Sequence, residues 1–216
     1  MTWRLLLCLS AVSGLMLSAC GTPSAKPEQS AFRNSKPASI LVLPPVNQSP
    51  DIRGSLTFYA TVTRPLSEAG YYVFPVALVY ATFKENGLPL VDDIHEIPLA
   101  KLQSIFGADA VLYISVVKYG NSYVVNNSQT VVSAKARLVD ARTGTLLWQG
   151  QASASDAEGR DNNGLAGLSI NSVVQQLASN TGNPGHQVAK MASARLLSPR
   201  GGGMLYGPRS PNHGKD

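Results

Sequence analysis

The densest group of side chains that could do chemistry is Asp92-Asp93-Ile94-His95-Glu96, four polar groups around one isoleucine. Imidazole and carboxylate groups are zinc ligands, so His95 and a flanking acid could supply part of a metal site. The other two histidines, His186 and His213, lie far away in the chain, in or near segments whose composition predicts mobility. A single histidine before a proline is more typical of a solvated turn, so we predict no metal and no cofactor.

Nucleophilic catalysis and nucleotide binding also lack their motifs. A hydrolase elbow needs Gly-x-Ser-x-Gly, which Gly164-Leu-Ala-Gly-Leu-Ser169 does not supply. The scattered glycines between Gly159 and Gly167 are not followed by the lysine of a P-loop. We therefore predict no catalytic residues, and we keep a periplasmic or surface-exposed enzyme of unknown reaction as the alternative function.

The remaining reactive group is a cysteine thiol. The chain has two cysteines, and Cys8 lies in an apolar run, 5–17, that follows Arg4. This run is too short for a comfortable transmembrane helix, and small residues follow it, so it predicts a secretory signal peptide at residues 1–19. Removal of the signal leaves Cys20 as the sole cysteine, and the mature chain then has no intrachain disulfide.

The segment Leu17-Ser18-Ala19-Cys20 resembles the lipobox of bacterial lipoproteins. The resemblance implies that the Cys20 thiol receives a diacylglycerol and that the freed amine is acylated in turn, palmitate being a typical acyl group. Several acyl chains anchor a protein stably where one is marginal. Gly21 stands where an aspartate would favour retention in the inner membrane, so we expect an outer-membrane lipoprotein with its domain in the periplasm or exposed at the surface.

The charge is modestly basic, with 18 Lys and Arg against 13 Asp and Glu and a net charge of +5. The basic residues gather near the anchor and toward the C-terminus: Lys26, Arg33, Lys36, Arg195, Arg200, Arg209 and Lys215. A nucleic-acid surface needs a dense basic face with interleaved aromatics, so we predict no nucleic-acid binding. The pattern favours a mild attraction to an anionic membrane, and ordinary solubilising charge is the plainer alternative.

Composition divides the mature chain into three segments. Residues 20–38 hold the acylated cysteine and a tether rich in proline and serine. Residues 39–198 form one domain, whose roughly 160 residues suffice for a sizeable core. Residues 199–216 are dominated by glycine, proline and arginine and predict a mobile C-terminal tail.

The first half of the domain alternates strands and helices. Apolar runs predict strands at 39–43, 71–74 and 109–118, and amphipathic spacing predicts helices at 52–69, 76–86 and 98–106. Pro65 should kink or split the first helix. Residues 88–97 read as a loop, and Gly120-Asn121 as a turn.

The second half predicts an antiparallel meander followed by helices. Residues 129–140 alternate, with Val132, Ala134, Ala136 and Leu138 on the buried side. Asp140 to Gly144 form a hairpin loop, residues 145–153 the returning strand, and residues 164–179 and 186–197 two helices. The pattern favours an α/β fold, a single domain with a mixed, partly antiparallel sheet flanked by helices.

Aromatic residues are the candidates for a partner surface. Trp148 on the returning strand predicts a core or interface position. Five tyrosines sit on the predicted strands, and simple packing and a partner surface are both open for them: Tyr71, Tyr72, Tyr113, Tyr119 and Tyr123.

Three stretches together carry a family resemblance: Ser39 to Asp51, Phe106 to Ser115, and Ala136 to Gly150, with Leu205 to Arg209 in addition. They resemble a proteobacterial lipoprotein family of unassigned function, the family of a neisserial surface-antigen candidate. A looser likeness extends to the curli-secretion lipoprotein and to TolB amino-terminal domains. It implies a TolB amino-terminal-like sheet flanked by helices and brings no catalytic residues.

These observations predict a membrane-anchored periplasmic lipoprotein that acts as a protein-binding module in envelope assembly, transport or secretion. Its expected partners are the membrane, through lipid on Cys20, and another envelope protein, for which a curli-secretion-like lipoprotein and a second copy in a homodimer are both open. Pore formation is not expected, because the chain lacks the membrane-spanning hairpins of the curli pore.

Overall fold

The computed structural model describes residues 30–124, 127–158, 184–199 and 203–215. The predicted signal peptide, Cys20 and the helix predicted at 164–179 lie outside these residues. Within the described ranges, no helix has the length and apolar character that crossing a membrane requires.

The centre of the domain is a mixed sheet with the strand order β3-β1-β4-β5-β6. Strand β1 runs parallel to both of its neighbours, whereas β4, β5 and β6 form an antiparallel meander, and the short β2 pairs in parallel with a later part of β4. The strands are β1 (Ser39–Val42), β2 (Val46–Asn47), β3 (Tyr72–Val73), β4 (Ala110–Val124), β5 (Asn127–Asp140) and β6 (Leu146–Ser155). The α/β fold with a mixed sheet that the sequence predicts is confirmed.

Helices cover parts of both faces of this sheet. They are α1 (Ser30–Ser35), α2 (Gly54–Tyr59), α3 (Thr63–Glu68), α4 (Val76–Glu85), α5 (Val91–His95), α6 (Leu99–Phe106) and α7 (Pro184–Leu197). The predicted helix at 52–69 is indeed split, but at residues 60–62. Pro65 consequently lies in the first turn of α3, where its missing N–H removes no helical hydrogen bond.

Helix α5 corrects the prediction of a loop over 88–97. Asp92 and Asp93 occupy its first turn, where negative charge is favourable because backbone N–H groups there are unpaired. Ile94 is fully buried and attaches this single turn to the core. A helix this short shows too few turns for its periodicity to be recognised in the sequence.

The alternation of side chains along the strands creates two apolar cores, one on each face of the sheet. Ile40, Val42 and Leu112 contribute to the first core, which α1, α2, α3 and α7 cover. Leu41 and Val111 contribute to the second, which α4, α5 and α6 cover. Strand β1 and the first part of β4 are therefore apolar on both sides, which explains the continuous apolar runs at 40–43 and 110–114.

Strand β4 corrects the predicted turn at Gly120-Asn121, because it continues to Val124. The pairing of β4 with β5 is irregular between Val116 and Lys118, where one extra residue is inserted. After this bulge, odd-numbered residues take over the first face, and Tyr119 joins that core opposite Val132. Gly120 has φ +118, a conformation that glycine can adopt within the strand and most other residues cannot.

The predicted tether is shorter than the sequence suggests. Residues 30–35 are helical, and the Phe32 side chain is buried against Tyr71, with 6.5 Å between the ring centroids. The backbone N–H groups of Ala38 and Ser39 both donate to the Asp109 carboxylate at 3.0 Å. These contacts leave at most residues 21–29 as a tether between Cys20 and the domain.

The predicted mobile tail over 199–216 is corrected as well. Met204 and Leu205 are buried in the first core, at 1 % and 7 % exposure. The Leu205 carbonyl accepts a hydrogen bond of 2.6 Å from the Tyr71 hydroxyl, and the Gly207 N–H donates to the Ala69 carbonyl at 2.8 Å. Glycine-rich composition misleads here because two apolar side chains suffice to fix the segment to the domain.

Candidate binding face

An open polar surface lies on the second face of the sheet, where β4, β5 and β6 extend beyond the helices. Six side chains form it in two rows across the three strands. The first row is Tyr113, Arg137 and Gln149, and the second is Ser115, Lys135 and Gln151. We name these six residues the cationic face. They line an open cavity of about 540 Å³, together with His95, Ala136 and Gly150.

The rows follow from the period of two along each strand combined with the pairing register. Residues 113 and 115 of β4 point to the same side because one residue separates them. The register places Tyr113 opposite Arg137 and Ser115 opposite Lys135. The next pairing places Arg137 opposite Gln149 and Lys135 opposite Gln151. Both cations and both glutamines are exposed, so the face is accessible to a partner.

The first row is supported from below by aromatic contacts. The guanidinium carbon of Arg137 lies 4.3 Å from the centre of the Tyr113 ring, a cation–π geometry. The rings of His95 and Tyr113 are nearly perpendicular, with 5.4 Å between their centroids. The His95 Nε2 lies 2.8 Å from the Pro44 carbonyl oxygen, which can only accept, so this nitrogen carries the proton. His95 thus holds the Tyr113 ring in place, and the ring in turn limits the movement of the Arg137 guanidinium.

The charge of the face comes from Lys135 and Arg137. Burial is the largest influence on the pKa of His95 and lowers it below its ordinary value. The hydrogen bond with the Pro44 carbonyl and the charges of Asp92 and Glu96 raise the pKa, whereas the charge of Arg137 lowers it. The net effect is a lowered pKa. Burial raises the pKa of the Tyr113 hydroxyl. Near neutral pH, His95 is therefore mostly uncharged and Tyr113 protonated. The lining of the cavity includes no acidic residue.

The acidic stretch from Asp92 to Glu96 does not bring its side chains together as a metal site. Asp92 and Asp93 on α5 and Glu96 directly after it are exposed, whereas His95 is half-buried and its Nε2 lies next to the Pro44 carbonyl oxygen. In the described parts of the chain, no group of three or more His, Cys, Asp or Glu side chains is placed to hold a metal ion.

The aromatic candidates divide between the two cores and the surface. Trp148 is buried at 8 % exposure, which confirms its core position. Tyr71, Tyr113 and Tyr119 are buried as well, whereas Tyr72 is 45 % exposed on edge strand β3. The side chain of Tyr123 lies outside the described residues.

Sequence reasoning missed the cationic face itself. It placed Lys135 and Arg137 on the outward side of the alternating strand, and that placement is confirmed. Their alignment with Tyr113, Ser115 and the two glutamines depends on the register between strands, which is not a local property of the sequence. The available signal was the pair of basic residues at 135 and 137, which the period of two places on the same side of the strand.

The fold defines a single-domain α/β protein built on a mixed six-stranded sheet, with one face partly uncovered by the described residues. Residues 28–209 match the family described as "Putative lipoprotein GNA1162-like". The chain therefore belongs to this lipoprotein family, and the family predicted from the sequence is confirmed.

Two relatives from Neisseria meningitidis show how far the similarity extends. The lipoprotein NMB1124/NMB1162 of serogroup B (strain MC58) is 51% identical over 207 residues, which cover 95% of each chain. The crystal structure of lipoprotein GNA1162 shares 54% identity and a TM-score of 0.54, over 66% of this chain and 99% of that one. A weaker likeness links the chain to the PelC dodecamer from Paraburkholderia phytofirmans, at 15% identity and a TM-score of 0.45, over 76% of this chain and 89% of that one.

Proposed function

We propose that this chain is an outer-membrane lipoprotein, anchored through lipid on Cys20, whose periplasmic domain binds another envelope protein through the cationic face. The observation that carries the proposal is the alignment of six side chains across three strands, with two cations and no acid among them. Membership of a lipoprotein family supports the anchor. The process served would be envelope assembly, transport or secretion.

The chemistry of the face favours binding over catalysis. The Nε2 of His95 donates its proton to the Pro44 carbonyl, so Nδ1 is the nitrogen of this ring that is left to accept a proton. The Tyr113 hydroxyl has a raised pKa and is a poor nucleophile near neutral pH. Arg137 and Lys135 can hold an anion by charge and by hydrogen bonding. We therefore propose a binding module and not an enzyme.

The face selects a partner by charge and by hydrogen bonding. Arg137 offers a planar fork of N–H donors that fits a carboxylate, and its position over Tyr113 limits its side-chain freedom before binding. Gln149 and Gln151 offer both donors and acceptors beside the two cations. These properties suit an acidic, polar segment of an envelope protein. Electrostatic attraction of this kind speeds association more than it raises affinity.

The binding proposal is tested by affinity purification of the acylated protein after solubilisation in detergent. The decisive variant is Lys135→Gln with Arg137→Gln, and the matched control is Lys84→Gln with Lys101→Gln, which removes the same charge from α4 and α6. We expect wild type and control to retain one stoichiometric envelope partner and the face variant to lose affinity by about a hundredfold, since each of the two desolvated charges contributes about 1.4 kcal/mol. Thermal melts of all three proteins confirm that they fold.

Equal recovery with the face variant and the control would show that the partner binds elsewhere. Recovery of no partner with any of the proteins, combined with a homodimer in light scattering, would identify a second copy as the occupant instead.

The anchoring proposal has its own test. A Cys20→Ser variant cannot be acylated at this position, so we expect it in the soluble periplasmic fraction while the wild type sediments with the outer membrane in a density gradient. Mass spectrometry of the N-terminal peptide should find acyl groups on the wild type. Membrane fractionation of the variant equal to that of the wild type would refute anchoring through this residue.

A further inference from the structure

A second basic site lies on the other side of the sheet, where the N-terminal and C-terminal ends of the described chain meet. A cavity of about 160 Å³ opens between α1 and the segment 203–215. This volume is several times the roughly 30 Å³ that a water molecule occupies in the liquid. Aromatic and proline side chains line much of it: Phe32, Pro37, Tyr71, Tyr206 and Pro208. Arg33, Lys36 and His213 line the rest. We name this cavity the terminal pocket.

The two walls of the terminal pocket carry charge of one sign. Residues 30–38 and 203–215 contain four exposed cations, Arg33, Lys36, Arg209 and Lys215. The carboxylates of Asp109 and Asp140 bond to residues 35–39 but are not part of the pocket lining, which includes no acidic residue. The guanidinium carbon of Arg209 lies 5.8 Å from the ring centre of Tyr72, beside the same segment. An apolar cavity with a cationic rim fits a ligand that has an anionic head and an apolar body.

Lys36 adds evidence from its backbone. It is the sole non-glycine residue with positive φ in the described ranges, at +47, and its N–H ends α1 by donating to the Phe32 carbonyl at 3.1 Å. Glycine or asparagine would occupy this position at lower cost. A lysine in a conformation that disfavours it indicates that the side chain itself is used.

The position of the terminal pocket on the chain identifies the source of such a ligand. Helix α1 begins at Ser30, so residues 21–29 alone separate it from Cys20. Nine extended residues span at most about 30 Å, which is less than the thickness of a bilayer with its headgroups. With lipid on Cys20, the pocket is held close to the membrane surface at all times.

We infer that the terminal pocket binds an anionic phospholipid of the membrane in which the protein is anchored, with Lys36 of the lining at the phosphate and the aromatic lining around the apolar part. Arg209 follows the lining residue Pro208 and adds a second cation at the rim. This inference rests on the proposed anchoring through Cys20. The bound lipid fixes the orientation of the domain, because it adds a second attachment point to the acyl anchor. Each cation near an anionic surface strengthens the attachment by about fivefold.

The test uses the mature acylated protein added to preformed vesicles of phosphatidylcholine, with and without phosphatidylglycerol. Hydrogen exchange measured by mass spectrometry reports protection of residues 30–38 and 203–215. We expect slower exchange in both segments in the presence of phosphatidylglycerol. The variant Lys36→Asn with Arg209→Gln should weaken the dependence on phosphatidylglycerol by about 25-fold, on the basis of about fivefold for each cation. Asparagine removes the charge and tolerates positive φ, so the fold is preserved.

The control Lys84→Gln with Lys101→Gln removes equal charge from α4 and α6 and should behave as the wild type. Flotation of the protein with both kinds of vesicle reports anchoring independently, so a failure of the anchor is recognised as such. Equal protection in both kinds of vesicle, or unchanged protection in the Lys36→Asn, Arg209→Gln variant, would overturn the inference. So would equal protection by inorganic phosphate in phosphatidylcholine vesicles, because the site would then take free phosphate and not lipid.

Discussion

Asp140 connects the hairpin after β5 to the N-terminal helix, and substitutions at this residue test the account of the fold most directly. Its Oδ1 accepts hydrogen bonds of 2.9 Å from the backbone N–H groups of Arg142 and Thr143, and its Oδ2 accepts one of 2.6 Å from the Ser35 hydroxyl. The side chain is 4 % exposed. Burial raises the pKa of this carboxyl, but the hydrogen bonds from Ser35, Thr143 and Arg142 together lower it below its ordinary value.

The size of the effect follows from these bonds. Asp140→Ala removes three bonds to a charged acceptor, each with a net contribution of about 1.5–3 kcal/mol. The hairpin N–H groups regain water once the carboxylate is gone, so we expect a loss of about 2–4 kcal/mol in the free energy of unfolding. Asp140→Asn keeps an oxygen for the two N–H groups, and its amide can donate to Ser35. It should lose about 1 kcal/mol, the difference between charged and neutral acceptors.

The pH dependence separates charge from shape. Because the folded-state pKa is lowered, the stabilisation by Asp140 is fully present above the unfolded-state pKa of about 3.9 and is lost as pH falls through the folded-state value. The difference between wild type and Asp140→Asn should therefore shrink below about pH 4. Urea unfolding of chains that begin at residue 20 and carry Cys20→Ser, at several values of pH, measures this through Trp148, the sole tryptophan outside the predicted signal peptide. Equal losses for Asn and Ala, or a difference that does not change with pH, would refute the reasoning.

Three further substitutions probe the ends of the chain by the same urea unfolding. Met204→Ala should cost about 2–4 kcal/mol because the side chain is 1 % exposed in the first core, whereas a loss below about 0.5 kcal/mol would return the segment to a mobile tail. Tyr71→Phe should cost about 1 kcal/mol, since it leaves the Leu205 carbonyl without its buried donor; no loss would show that water replaces the hydroxyl. Lys36→Gly should stabilise the protein by up to about 1 kcal/mol by relieving the positive φ, and a destabilisation would show that the lysine side chain contributes to folding.

Local patterns made the meander predictable. Residues 130–138 alternate, so their buried side follows from the period of two, and Val132, Ala134, Ala136 and Leu138 are all buried. The hairpin loop after Asp140 follows from its turn chemistry, and Gly144 has the positive φ of +73 that such a turn requires. In both cases, residues close in the chain determine the structure.

The features that sequence reasoning missed depend on contacts between distant residues. Gly120 resembles a turn residue, but the pairing of β4 with β5 carries the strand through it after the bulge near residue 117. Met204 and Leu205 lack any periodicity, and their burial depends on Tyr71, more than 130 residues earlier in the chain. The ordered structure of residues 203–215 depends on the core against which they pack. The alignment of the cationic face depends on the register between strands.

The two proposed sites occupy opposite sides of the sheet, so one can contact the membrane while the other contacts a protein. The terminal pocket includes Phe32, Tyr71 and Leu205 of the first core, whereas the cationic face lies on the side of Tyr113, in the second core. A lipid bound at the first site therefore does not compete with a protein bound at the second. In the proposed arrangement, acyl chains on Cys20 bring the domain to the membrane, the basic ends orient it there, and the sheet face that carries Lys135 and Arg137 remains open to a partner.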